Sequence, residues 1–199
     1  MADDKSIRPG SLVSRQTDLT QSLILDAAVE LLQAASVMEL SIRAVAKRAN
    51  ISERTVFRHF PSRDDLLDAV ADEVSRRLDT PPDPTTVHEL IAYPEAVFAR
   101  FETNGALTRA VLHSELYQRV RRRDAGARGA AIGALVDRLA ADRGEDERRL
   151  AAANILYHVI ASTWRYYRDY FGFTVEETAA ASRMAIVEAL RGLGVATEP

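Results

Sequence analysis

The stretch LSIRAVAKRANISERTVFRHFPSRDDLL, Leu40 to Leu67, decides how this chain folds. Ser41 is placed to cap a short helix whose buried side is Ile42, Val45, Ala46 and Ala49, apolar positions at helical spacing. Asn50-Ile51-Ser52 then interrupts the pattern. Asparagine is one of the few non-glycine residues that tolerate the left-handed conformation ending a helix. Ser52 is placed to cap the next helix, Glu53 to about Phe60, and Pro61 ends it. Ser62-Arg63-Asp64-Asp65 has the form of a capping box. It opens a longer helix carrying Leu66, Leu67, Val70, Ala71, Val74 and Leu78. Two short helices joined by a tight turn have the spacing of a helix-turn-helix.

Working outward, residues 1 to about 18 are polar and read as a flexible arm containing Arg8 and Arg15. Thr20 is a plausible cap for a first helix with the stripe Leu23, Ile24, Ala27, Ala28, Leu31 and Leu32. Downstream, Pro81, Pro82 and Pro84 form the clearest linker. Beyond it the pattern predicts five further helices, at 86–103, 105–115, 117–142, 146–171 and 174–192. Pro94 should kink the first of these, and Thr174 with Glu177 forms a capping box for the last. β-branched residues never gather into alternating runs, so strand is not expected. The expected fold is all-α with about nine helices: an arm (1–18), a three-helix helix-turn-helix module (19–62) and a larger helical bundle (63–199).

Composition narrows the chemistry. The absence of cysteine excludes disulfides, thiolate nucleophiles and cysteine-ligated metals. No apolar stretch approaches the ~20 residues of a membrane span, and no apolar run follows the polar N-terminus. A soluble, cytoplasmic protein without cofactor or metal is expected. The four histidines, His59, His88, His113 and His158, show no zinc-ligand spacing, and caps account for the paired acids Asp64-Asp65 and Glu176-Glu177. Nothing points to an enzyme. The formal net charge is −3, but residues 41–63 hold six basic residues against the single acid Glu53. That module is +5 and the rest of the chain −8. A basic module on an acidic body suits a surface with one face turned to phosphates.

Apolar residues occupy nearly every face between Asn154 and Trp164, which implies burial on all sides. With Met184, Ile186, Val187 and Leu190 of the final helix, this predicts a homodimer through the last two helices; a monomer with a buried central helix is the alternative. Gly126, Gly129 and Gly133 suggest a close helix contact, and Arg121-Arg122-Arg123 a solvated run.

The Leu40–Leu67 stretch closely resembles the DNA-binding segment of the TetR family of bacterial regulators. The positions that carry the likeness are Ser41-Ile42, Val45-Ala46, Ala49, Ser52, Thr55-Val56-Phe57, Phe60, Ser62-Arg63 and Leu66-Leu67. Asn50 stands where the family usually has glycine. The resemblance implies a transcription regulator, most simply a repressor, that binds a palindromic operator in double-stranded DNA as a homodimer. Its second short helix would enter the major groove with Glu53, Arg54 and Thr55 toward base edges and Phe57 and Arg58 further along. Arg54 is the best candidate for a bidentate contact to guanine. Glu53 either accepts from a cytosine amino group or is held away by Arg54, and Phe57 either meets DNA or packs in the core. His59 would reach a phosphate or lie on the surface beside Phe60. Ser41, Arg43, Ser52 and Arg63 would position phosphates with the helix N-termini, and Arg8 and Arg15 would enter a minor groove.

The resemblance also implies a small-molecule effector inside the larger domain. The candidate lining is Phe98, Phe101, Leu112, His113, Tyr117, Tyr157, Thr163, Trp164 and Tyr167, which suits an apolar or aromatic compound. The rival reading keeps the DNA module but gives the bundle a protein partner and no inducer. A cavity in the interior separates the two.

Overall fold

The computed structural model describes residues 12–34 and 40–197, with side chains 12–15, 124 and 125 excepted. The described residues form ten helices and no strand: α1 (Leu12–Ala34), α2 (Ile42–Arg48), α3 (Glu53–His59), α4 (Arg63–Leu78), α5 (Val87–Thr103), α6 (Gly105–Leu112), α7 (Tyr117–Leu139), α8 (Glu145–Tyr157), α9 (Ala161–Tyr170) and α10 (Val175–Gly192).

Two boundaries differ most from the sequence reading. Helix α1 starts at Leu12, so residues 12–18 are helical where an arm was expected. Thr20 is not its cap but an interior residue whose hydroxyl donates back to the Gln16 carbonyl at 2.9 Å, a bond that serves within a helix as readily as a cap. Within the predicted stripe, Leu23 faces outward, Leu31 is half-buried, and Ile24, Ala27, Ala28 and Leu32 are buried; Val29, outside that stripe, is buried with them. The single helix expected at 146–171 is two, α8 and α9, because Ile160 is extended (φ −102°, ψ 158°) and serves as the cap of α9.

The apolar core forms two clusters. The first joins α1, α2, α3 and α4 to α6 and the start of α7, through residues such as Ile24, Val45, Val56, Leu66, Val70, Leu107, Val111 and Val120. The second joins α5, the later part of α7, α8, α9 and α10 around Phe98, Phe101, Ile132, Ile155, Trp164 and Ile186. Helix α5 packs along α10, α7 along α8, and α4 along α7. Helix α5 continues through Pro94, which is itself buried. Of the three glycines read as a helix contact, only Gly129 makes one: a Cβ there would meet Leu156 Cδ2 at 3.2 Å, whereas Gly126 and Gly133 face open space.

Capping holds the small N-terminal helices in place. Ser41 Oγ accepts from Ala44 N at 3.1 Å and Ser52 Oγ from Thr55 N at 3.1 Å. The predicted capping boxes of Ser62–Asp65 and Thr174–Glu177 are both formed. Asn50 has φ 54°. Around it, Ile51 N donates to Ala46 O (3.0 Å) and Asn50 N to Lys47 O (3.3 Å), the paired bonds of a Schellman turn.

Candidate nucleic-acid interface

Helix α3 has two faces with separate tasks. Val56, on the inner side, and Phe60, its C-cap, are buried against the core of the module. On the outer side Glu53, Arg54, Phe57 and Arg58 are exposed. Phe57 is 47% exposed, which rules out core packing as the reason for an aromatic at this position. An exposed phenylalanine in solvent gains nothing by staying there unless a partner covers it. Arg54 and Arg58 make no ion pair with any described residue, and no contact ties Glu53 to Arg54. Of the two alternatives for Glu53, restraint by Arg54 is therefore absent. Arg43, in the first turn of α2, is also exposed. Lys47 lies exposed on the same helix, a cation that the sequence reading counted in the module's charge but did not select.

Four other predicted residues are already engaged. Ser41 and Ser52 spend their hydroxyls as caps. Thr55 is half-buried with its hydroxyl 2.8 Å from Ser52 Oγ, which leaves chiefly its methyl group to face outward. Arg63 is a strut: Nε donates to the Leu40 carbonyl at 2.9 Å and Nη2 pairs with Glu115. It ties the start of α4 to the segment before α2 and to the loop after α6, so phosphate positioning would have to compete with these bonds. His59 is half-buried, and its Nε2 is enclosed without a hydrogen-bond partner, which disfavours a reach to phosphate. Arg8 and the side chain of Arg15 lie outside the described residues.

These observations describe a small helical module that presents two unpaired arginines and an exposed aromatic ring on one helix face, above a capped and rigid turn. The N-terminal residues 24–70 match the family model of bacterial regulatory proteins, tetR family. Over these residues the chain is similar to the N-terminal module of that family. Among solved structures, a TetR-like transcriptional regulator from Rhodococcus sp. RHA1 superposes with a TM-score of 0.62 at 18% identity, covering 88% of this chain and 96% of that one. NalD, the secondary repressor of the MexAB-OprM multidrug efflux pump in Pseudomonas aeruginosa, superposes with a TM-score of 0.60 at 17% identity, covering 87% and 96%. At these identities the two structures share the fold with this chain. No curated protein shows significant sequence similarity to it.

Between the two core clusters lies a cavity of about 70 Å³. Leu78 at the end of α4, Phe101 of α5, Thr108, Val111 and Leu112 of α6, and Tyr117, Val120, Arg121 and Arg128 of α7 line it. Thr80 and Ile160–Ser162 complete the wall. Tyr117 Oη and Ser162 Oγ lie 3.1 Å apart across it. Of the nine residues expected to line a pocket, Phe101, Leu112 and Tyr117 do. Tyr157 lines a neighbouring surface groove. Phe98 and Trp164 are fully buried in the second core cluster, and Trp164 Nε1 donates to Glu102 at 3.2 Å. Thr163 donates its hydroxyl to the Tyr157 carbonyl. His113 is exposed with Nε2 2.6 Å from Arg165, and Tyr167 stacks on Phe173. The aromatic signal in the sequence thus belongs mostly to the core. Arg121 and Arg128 were missed as lining residues. The available signal was a lone arginine in the small-residue stretch Gly126-Ala-Arg-Gly-Ala130.

Proposed function

We propose that this chain is a TetR-family regulator that binds a palindromic operator as a homodimer, acts as a repressor in the cytoplasm, and releases DNA when a small molecule enters the cavity beside α4. The single observation that carries the DNA reading is the outer face of α3, where Arg54, Phe57 and Arg58 stand exposed and unpaired. Arginines at the start of a recognition helix make the commonest specific base contact, to guanine O6 and N7.

The dimer reading is supported by three large apolar side chains left exposed on α8 and α10, which pack on each other. Leu150 is 64%, Tyr157 56% and Met184 67% exposed. Ile186 and Leu190, expected on this surface, instead fill the core. In this division of labour residues 19–62 read DNA and residues 63–199 respond to the effector and dimerise.

Response requires that the cavity speak to α4, and the contacts to do so are present. Arg119 of α7 pairs with Asp64 and Asp68 of α4, each at 2.5 Å, and Arg123 pairs with Asp72. The three aspartates stand at four-residue intervals, one face of α4 facing one face of α7. A cavity of about 70 Å³ is smaller than the ~300 Å³ of an ordinary ligand site. An occupant therefore has to push its lining apart, and that lining includes Leu78, the last residue of α4, and one face of α7. Movement of α4 carries α2 and α3 through the shared core cluster.

Fluorescence anisotropy with the operator tests the DNA reading. Arg54→Ala should weaken binding by about 5- to 150-fold, the equivalent of ~1–3 kcal/mol, with no change in melting temperature because the side chain is exposed. Phe57→Ala should do the same in kind. Full affinity in both variants would sink the assignment of α3 as the reading helix.

A further inference from the structure

The cavity has a charge as well as a volume, and the charge selects its occupant. Arg128 is 5% exposed. A guanidinium so buried is costly unless it is held by hydrogen bonds and an opposite charge. Its Nε donates to Tyr93 Oη at 2.9 Å, its Nη2 to Thr80 Oγ1 at 3.3 Å, and Asp83 Oδ1 lies 3.5 Å from Nε. The guanidinium also lies against the Tyr93 ring, 5.5 Å from its centroid. The fork is thus fixed in place before anything binds.

Arg121 stands seven residues earlier on α7, two turns or ~10 Å along the axis on the same face. Its neighbours are occupied: Arg119 and Arg123 pair with α4, and Arg122 donates to the Gln118 carbonyl. Arg121 makes no ion pair or hydrogen bond with any described residue. It lines both the cavity and the surface groove beside it, as Ile160 does, which places these two at the mouth. The cavity wall holds both arginines and no carboxylate. Asp83, outside the wall, balances one of them. One positive charge is left without a counterpart, beside a lining that is otherwise apolar or neutral.

We propose that the effector is a small organic monoanion, with an apolar body among Leu78, Phe101 and Val111 and a carboxylate on the α7 side between Arg121 and Arg128. This rests on reading the cavity as the effector site. A carboxylate matches the planar fork of arginine in geometry, and a pre-fixed guanidinium loses little entropy in binding it. The occupant would then press on the helix that holds α4 through Arg119 and Arg123, linking charge recognition to operator release.

Isothermal titration calorimetry of the full chain at ~100 mM salt, using three probes of one shape, tests this: 3-phenylpropionate, its amide, and 3-phenylpropylamine. Trp164, the sole tryptophan, packs 6.2 Å from the cavity-lining ring of Phe101 and reports occupancy by fluorescence. The acid should bind ~10-fold more tightly than the amide, with the amine weakest. Arg121→Gln, a change at an exposed position that the fold should tolerate, should bring acid and amide within ~3-fold while leaving the amide's affinity as it was. Arg128→Gln should act in the same direction. If the amide binds as well as the acid, or if both variants keep the preference for the acid, the monoanion inference fails and the cavity reading stands. If none of the probes gives heat or changes Trp164 emission, both fail.

Discussion

At the scale of single residues, the direction a side chain points divides α3 into a buried side and an exposed one, to which the proposal assigns stability and DNA contact. Val56 is buried in the same module whose surface carries the exposed Phe57, its immediate neighbour. That separation was legible in the sequence as a choice for Phe57 between core and surface, and the structure decides it. Arg63 was not legible in the same way. A basic residue at a helix start reads as a phosphate ligand, but its bonds run to the Leu40 carbonyl, 23 residues back, and to Glu115, 52 residues on. His158 offers a residue-scale test of the bundle. Burial holds its imidazole below the usual histidine range, and its Nδ1 has no hydrogen-bond partner. The unfolded chain therefore takes up the proton first, so stability is fully present above the ordinary histidine value of 6.5 and is lost as pH falls below it toward the folded pKa. Thermal melts of wild type and His158→Gln between pH 7.5 and ~5.5 should show a decline in the former that is blunted in the latter. Parallel curves would mean that burial of this ring does not set the pH dependence.

At the scale of elements, the helix-turn-helix could be read almost completely, because each of its boundaries is written in a local signal. Serine caps, a left-handed asparagine and a proline stop each act within a few residues of where they sit. The break between α8 and α9 has no such mark. Ile160 is extended where the apolar run from Asn154 to Trp164 continues without glycine or proline, so the interruption follows from packing. The start of α1 was hidden for the opposite reason, since a polar segment with few apolar residues can still be helical when joined to a well-packed helix. Asn50 carries the element-scale prediction. At φ 54° glycine is unstrained and alanine is not. Chemical denaturation should show Asn50→Gly close to wild type, or slightly more stable, and Asn50→Ala less stable by about 1 kcal/mol. Equal stability of the alanine variant would contradict the turn geometry.

At the scale of the whole molecule, the cavity draws its lining from both core clusters, Leu78, Val111 and Val120 from the first and Phe101 from the second. It meets α4 at that helix's last residue, Leu78. Its lining was only partly legible, because the conspicuous aromatics Phe98 and Trp164 serve the core. The residues that give it character, Arg121 and Arg128, stand two turns apart on α7, and Arg128 is held by Tyr93 of α5 and by Thr80 and Asp83 of the linker. The proposed dimer also belongs to this scale. Leu150→Glu or Met184→Glu, each at an exposed position, should leave the monomer's helical content intact while raising the dimer dissociation constant by at least ~10-fold in sedimentation equilibrium. A variant that stays dimeric at wild-type strength would move the interface elsewhere.

The central claim is that two copies of α3 read a two-fold symmetric sequence. Selection of bound DNA from a random duplex library at ~100 mM salt, where specific binding survives, tests it most directly, with Arg54→Ala selected in parallel. The account predicts a palindromic consensus for the wild type, with the same positions relaxed in both half-sites of the variant. A consensus without two-fold symmetry, one unchanged by the loss of Arg54, or no enrichment at all would contradict it.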